Sequence, residues 1–140
     1  MKKTLLRVLT FVAMTALIIC TLASCGSAID TIAGNYEAAG YKTQTADKNT
    51  TAKIASGIVE ELEISATVHV FTKDLNAAIV IEFDAKGDID ELLESDTIKG
   101  LIKDAQKSDI VRDNCLLIPI STNVMDLEAQ ISSMISIFKK

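Results

Sequence analysis

The stretch EISATVHVFTKDLNAAIVIEF, residues 63–83, decides the fold. In its first half Ile64, Ala66, Val68 and Val70 alternate with Ser65, Thr67, His69 and Phe71. In its second half Ala77, Ile79, Ile81 and Phe83 alternate with Ala78, Val80 and Glu82. A period of two puts each set on one side of an extended chain, so both halves read as strands. TKDLN, residues 72–76, joins them as a five-residue hairpin loop.

Upstream, the period changes. Ile29, Ile32, Ala33, Tyr36 and Ala39 recur at helical spacing, which predicts a helix over 28–39 with Gly40 just past its end. YKTQT, residues 41–45, alternates Tyr41, Thr43 and Thr45 and suits a short, polar edge strand. ADKNTT follows as a turn and cap. Thr51, Ala55, Ile58, Val59 and Leu62 then share one helical face, with Gly57 weakening the helix.

Downstream, Asp88 to Lys107 presents two apolar sets on opposite sides of one helix: Ile89, Leu92 and Leu93, then Ile98, Leu101, Ile102 and Ala105. A straight helix cannot bury both against one sheet, so a break is expected at Ser95–Thr97, with Ser95 or Asp96 capping the second piece. CLLIPI, residues 115–120, is an apolar strand whose Pro119 belongs at an edge or strand end. Val124, Leu127, Ile131, Met134, Ile135 and Phe138 form the clearest helical stripe, with Asn123 placed to cap it. Lys139 and Lys140 complement the dipole at its far end. The order α-β-α-β-β-α-β-α gives an α+β domain. Its middle, βαββαβ, is the pattern of the ferredoxin-like antiparallel sheet, with one helix added at each end. Phe71, Val80 and Leu117 point to that sheet's second face, which a terminal helix is then expected to cover. The polar YKTQT sits uneasily there, because this topology makes its first strand central.

The N-terminus carries a different kind of information. Lys2, Lys3 and Arg7 precede 17 residues without a charge, Val8 to Ser24. That run is short for a membrane span, which takes about 20 apolar residues, and has the order of a secretory signal. Leu22-Ala23-Ser24-Cys25 resembles the lipobox of bacterial lipoproteins at all four positions. The resemblance implies cleavage between Ser24 and Cys25, a diacylglyceryl group on the Cys25 sulfur and possible acylation of the new amino group. It implies no other cofactor. Two acyl chains anchor stably where one does not. The chain accordingly divides into a signal peptide (1–24), a lipidated cysteine with a short tether (25–27) and one α+β domain (28–140). The wider pattern, with a helix ending in Ala39-Gly40-Tyr41 and a strand ending in Glu82-Phe83-Asp84, resembles small bacterial lipoproteins of unassigned function.

Residues 25–140 carry 11 basic and 19 acidic side chains, a net charge of −8 against −5 for the whole chain. A surface of that sign repels phosphate backbones, so nucleic acid is not an expected partner. Cys20 leaves with the signal and Cys25 is lipidated, so Cys115 has no disulfide partner.

Candidate chemical groups are few. His69 is the single histidine and reads as an ordinary sheet-face residue. Cys115 sits in an apolar context that disfavours its thiolate, and reads as a small buried hydrophobe. No sequence feature brings it to His69. The serines lack a nucleophile elbow. Glu82, Asp84, Asp88, Asp90, Glu91 and Glu94 gather at a strand–helix junction. They lack calcium-loop spacing, leaving Asp84, Asp88 and Asp90 as weak cation candidates and no metal site assigned. Asp88 with Glu91 resembles a capping box. Asn49-Thr50-Thr51 matches a glycosylation acceptor but reads as a turn.

The expectation is an extracytoplasmic protein held on the cell membrane by its lipid, serving as a non-catalytic binding module for a component of the envelope. The alternatives are a small-ligand binder or enzyme with a pocket between sheet and helices, and a surface lipoprotein that contacts a host.

Overall fold

In the computed structural model the described residues are 27–45, 50–102 and 105–140. The signal segment, Cys25, most of the ADKNTT turn and Lys103–Asp104 lie outside them. The chain runs α1 (Ala28–Ala38), β1 (Lys42–Gln44), α2 (Thr50–Glu61), β2 (Ala66–Lys73), β3 (Asn76–Phe83), α3 (Asp88–Glu94), α4 (Asp96–Leu101), α5 (Lys107–Ile110), β4 (Val111–Arg112), β5 (Cys115–Ser121) and α6 (Leu127–Lys139).

All strand pairs are antiparallel, and the sheet order is β1-β2-β3-β5-β4. The α+β class holds. The order differs from the ferredoxin-like one, because β1 lies at the edge beside β2 instead of in the centre. The reason is local. A central strand must pair on both sides and be buried on both faces, and Lys42-Thr43-Gln44 has neither the length nor the side chains for it. β3 takes the centre. Its Ala78, Ile79, Val80, Ile81 and Phe83 are all fully buried, so both faces of the sheet are covered.

Register defines those faces. Phe71, Ala78 and Pro119 lie in line across the strands, as do His69, Val80 and Leu117. This face receives both terminal helices. The Tyr36 ring of α1 stacks on Phe71 with centroids 5.0 Å apart. The Tyr36 hydroxyl donates to the Met134 carbonyl of α6 at 2.8 Å. On the other face Val70, Ile79 and Ile118 are in register. The helices left to cover them are α2, α3 and α4, whose Ala55, Val59, Ile89, Leu92 and Ile98 join the same core.

The hairpin is tighter than a five-residue loop. Lys73 pairs with Asn76, leaving only Asp74 and Leu75 in the turn. Asp74 takes φ +53°, a left-handed conformation that Asp tolerates better than most residues. Gly40, at φ +86°, closes α1 as expected. Tyr41 N–H donates to the Tyr36 carbonyl and Gly40 N–H to the Glu37 carbonyl, the paired bonds of a Schellman motif. At its other end Ser27 and Asp30 form a reciprocal capping box.

The 88–107 region breaks at Ser95, as its two apolar faces require. Ser95 is the N-cap of α4 but makes no side-chain capping bond. Gly87, without a side-chain bond, is the N-cap of α3, so Asp88 and Glu91 form no capping box. Ala105 falls outside α4, and the one-turn α5 was not signalled by periodicity. Pro119 lies where β5 has a neighbour on one side only, because β4 pairs just Cys115 and Leu116. A residue without N–H suits that open edge.

Candidate functional site

The largest departure from the sequence pattern lies at one pole of the molecule. α6 begins at Leu127 with Asp126 as N-cap, three residues later than an Asn123 cap implies. The expected stripe therefore loses its first members: Val124 is 87 % exposed and Leu127 41 %. Met125 beside them is 94 % exposed, and Leu75, in the hairpin turn, 59 %.

Hydrogen bonds bring these residues together. The Leu75 carbonyl accepts from the Thr122 N–H at 3.0 Å and from its hydroxyl at 3.3 Å. Asn123 N–H donates to the Ser121 hydroxyl, and the Asn123 side-chain oxygen accepts from Met125 N–H. One residue further on, at the start of β3, the Asn76 amide donates to the Gln130 side chain at 2.7 Å. The β2–β3 turn and the β5–α6 loop thus form one bonded platform, with Leu75, Val124 and Met125 standing on it. Single exposed apolar residues are ordinary; several on one bonded platform are not.

Charge surrounds the platform unevenly. Asp74 adjoins Leu75, and Asp126 and Glu128 flank a surface cleft lined by Val124, Met125 and Leu127. The nearest cation in sequence, Lys73, turns to the end of α1, where its ammonium donates to the Ala39 carbonyl at 2.7 Å and lies over the Tyr41 ring. Leu127 also lines an apolar groove of about 220 Å³ along the open edge of β5, with Leu101, Pro119 and Ile131.

Sequence reasoning missed Leu75, Met125 and the exposure of Val124. A signal was present. Leu75, the fourth residue of TKDLN, occupies a turn position with no core to enter, and VM lies between Asn123 and Asp126, both turn formers.

The other candidates fall elsewhere. Cys115 stands opposite Glu82, and the His69 ring nitrogen lies 3.1 Å from the Glu82 carboxylate. The sheet thus gathers three groups that the sequence left apart. The arrangement does not activate the thiol. Cys115 is fully buried, and its pKa is pushed up to about 12, chiefly by burial, then by the Glu82 and Asp113 charges, with Arg112 opposing. At neutral pH it is a thiol, and thiols are poor nucleophiles. Arg112 itself donates to the Phe138 carbonyl at the end of α6.

The acidic junction disperses. Asp84 accepts from the Ser65 hydroxyl, Asp90 pairs with Lys107, and Asp88 begins α3. Among the described residues no group of three or more His, Cys, Asp and Glu is placed to hold a metal ion. Ser24 and Cys25 lie outside the described residues. Among those described, no helix is long and apolar enough to cross a membrane. Comparison with family models, curated proteins and solved structures found no match to this chain.

Proposed function

We propose that this chain is a lipoprotein of the bacterial cell envelope, anchored through diacylglyceryl on Cys25, whose domain acts by binding a protein partner. The anchoring part rests on the order of charged segment, uncharged run and Leu22-Ala23-Ser24-Cys25. The binding part rests on one observation: Leu75, Val124 and Met125 stand exposed together on a hydrogen-bonded platform. An apolar patch exposed to water is a cost to an isolated domain and an asset to a docking one. The buried, protonated Cys115 favours this reading over thiol catalysis.

Intact-mass measurement on protein extracted from membranes of its native host tests the anchor. The expected species begins at Cys25 and carries the mass of a diacylglyceryl group, with or without an N-acyl chain. Cys25→Ser is expected to move the protein from the membrane to the soluble fraction. Retention of that variant in the membrane fraction would overturn the anchoring.

A further inference from the structure

The geometry points to the partner's chemistry: the Leu75–Val124–Met125 tip docks into an apolar socket rimmed by lysine or arginine on a protein above the membrane surface. This inference rests on the Cys25 anchoring proposed above.

Direction comes first. α1 runs toward the hairpin turn, because Tyr36 lies on Phe71 and Ala39 reaches Lys73. α6 runs away from it, from the Ser121 end of β5 to Arg112 beside Cys115 at the other end. The end of α1 lies beside Lys73, next to the tip, and the start of α6 carries the tip itself. Ser27, at the start of α1, is therefore at the opposite pole. Eleven helical residues separate the two ends by about 16 Å. Cys25 is two residues before Ser27, so an anchor there turns Leu75, Val124 and Met125 away from the bilayer.

Charge then selects the occupant. Asp126 and Glu128 line the cleft of Val124 and Met125, while the Lys73 ammonium is held away from it, at the Ala39 carbonyl and the Tyr41 ring. A second copy docking tip to tip would bring these acids against their own images, on chains that each carry a net −8 in residues 25–140. An anionic lipid surface is repelled by the same acids. A socket of opposite charge gains from them, in on-rate and in specificity, while the apolar side chains supply the buried centre.

The test places a photo-activatable amino acid at Leu75, Met125 or, as a control on α2, the exposed Ile54 of the full-length protein in its native host. The expected result is an adduct with another protein from Leu75 and Met125 and none from Ile54. Its cross-linked peptide should contain apolar residues with Lys or Arg beside them. Asp126→Lys with Glu128→Lys is expected to lower the adduct yield at least tenfold without changing its membrane fractionation. Val124→Ser with Met125→Ser, read with the cross-linker at Leu75, is expected to do the same while the thermal midpoint of the purified full-length protein stays unchanged. An adduct with lipid, with a second copy of the chain, from Ile54 equally, or indifferent to charge reversal overturns the inference. So does the absence of any adduct from the tip. If the protein still leaves the membrane on Cys25→Ser, those outcomes remove the docking site and leave the anchor standing.

Discussion

Tyr36 shows how much a single side chain can hold together. It is fully buried, stacked on Phe71, edge-on to Tyr41 and hydrogen-bonded to α6. Tyr36→Phe keeps the ring and removes one buried hydrogen bond, so a loss of about 1 kcal/mol is expected from urea unfolding. Cys115 gives a pH dependence of known sign. Its thiol is raised from 9.0 to about 12 in the folded state, so above pH 9 the unfolded chain releases this proton while the folded chain keeps it. The contribution of this thiol to stability is therefore fully present below about pH 9 and is lost toward pH 12. Tyr36 is raised in the same direction by burial and adds to that decline. Cys115→Ala isolates the thiol: its urea midpoint should fall less steeply than the parent's between pH 9 and 11. Iodoacetamide should leave native Cys115 unmodified at pH 8 and label it after unfolding.

Two serines at helix starts separate position from interaction. Ser27 caps α1 through its side chain, whereas Ser95 occupies the equivalent place on α4 without such a bond. Ser27→Ala is expected to cost about 1 kcal/mol in chemical denaturation, and Ser95→Ala only a few tenths. The hairpin turn offers a second contrast. Asp74 holds a left-handed φ, so Asp74→Val should destabilise by about 1–2 kcal/mol and Asp74→Gly should not. The break at Ser95 was legible in the sequence because two apolar faces on one helix cannot meet one sheet. The start of α6 was not. Val124 lies one turn before Leu127 and continues the stripe, and only the bonds from Thr122 to Leu75 show that this segment belongs to the hairpin tip.

For the whole molecule, both terminal helices pack on the sheet face of Phe71, Val80 and Leu117, so the core closes only when chain ends meet chain middle. Leu117 is fully buried on that face. Leu117→Ala should cost about 2–4 kcal/mol, read from the shift in thermal or urea midpoint. The tip lies outside this core, and Val124→Ser with Met125→Ser is expected to change stability by less than about 0.5 kcal/mol. The surface ion pairs Lys139–Asp109 and Lys86–Asp113 are exposed and contribute little. Stability rests on packing around β3.

The amino-acid order alone determined the local elements: the period-two strands of the hairpin, the helix ending at Gly40, the break at Ser95 and the edge role of Pro119. These follow from side-chain periodicity and backbone preference, which act within a few residues. Side-chain polarity likewise marked YKTQT for an edge. Tertiary structure alone decided that β1 pairs with β2 and leaves the centre to β3, that His69, Glu82 and Cys115 come to one region of the sheet, and that Leu75, Val124 and Met125 form an exposed tip. Each depends on which distant segments compete to cover the same surface. A polar three-residue strand loses the central position to β3, and a loop bonded to a hairpin turn cannot also extend the helix that follows it.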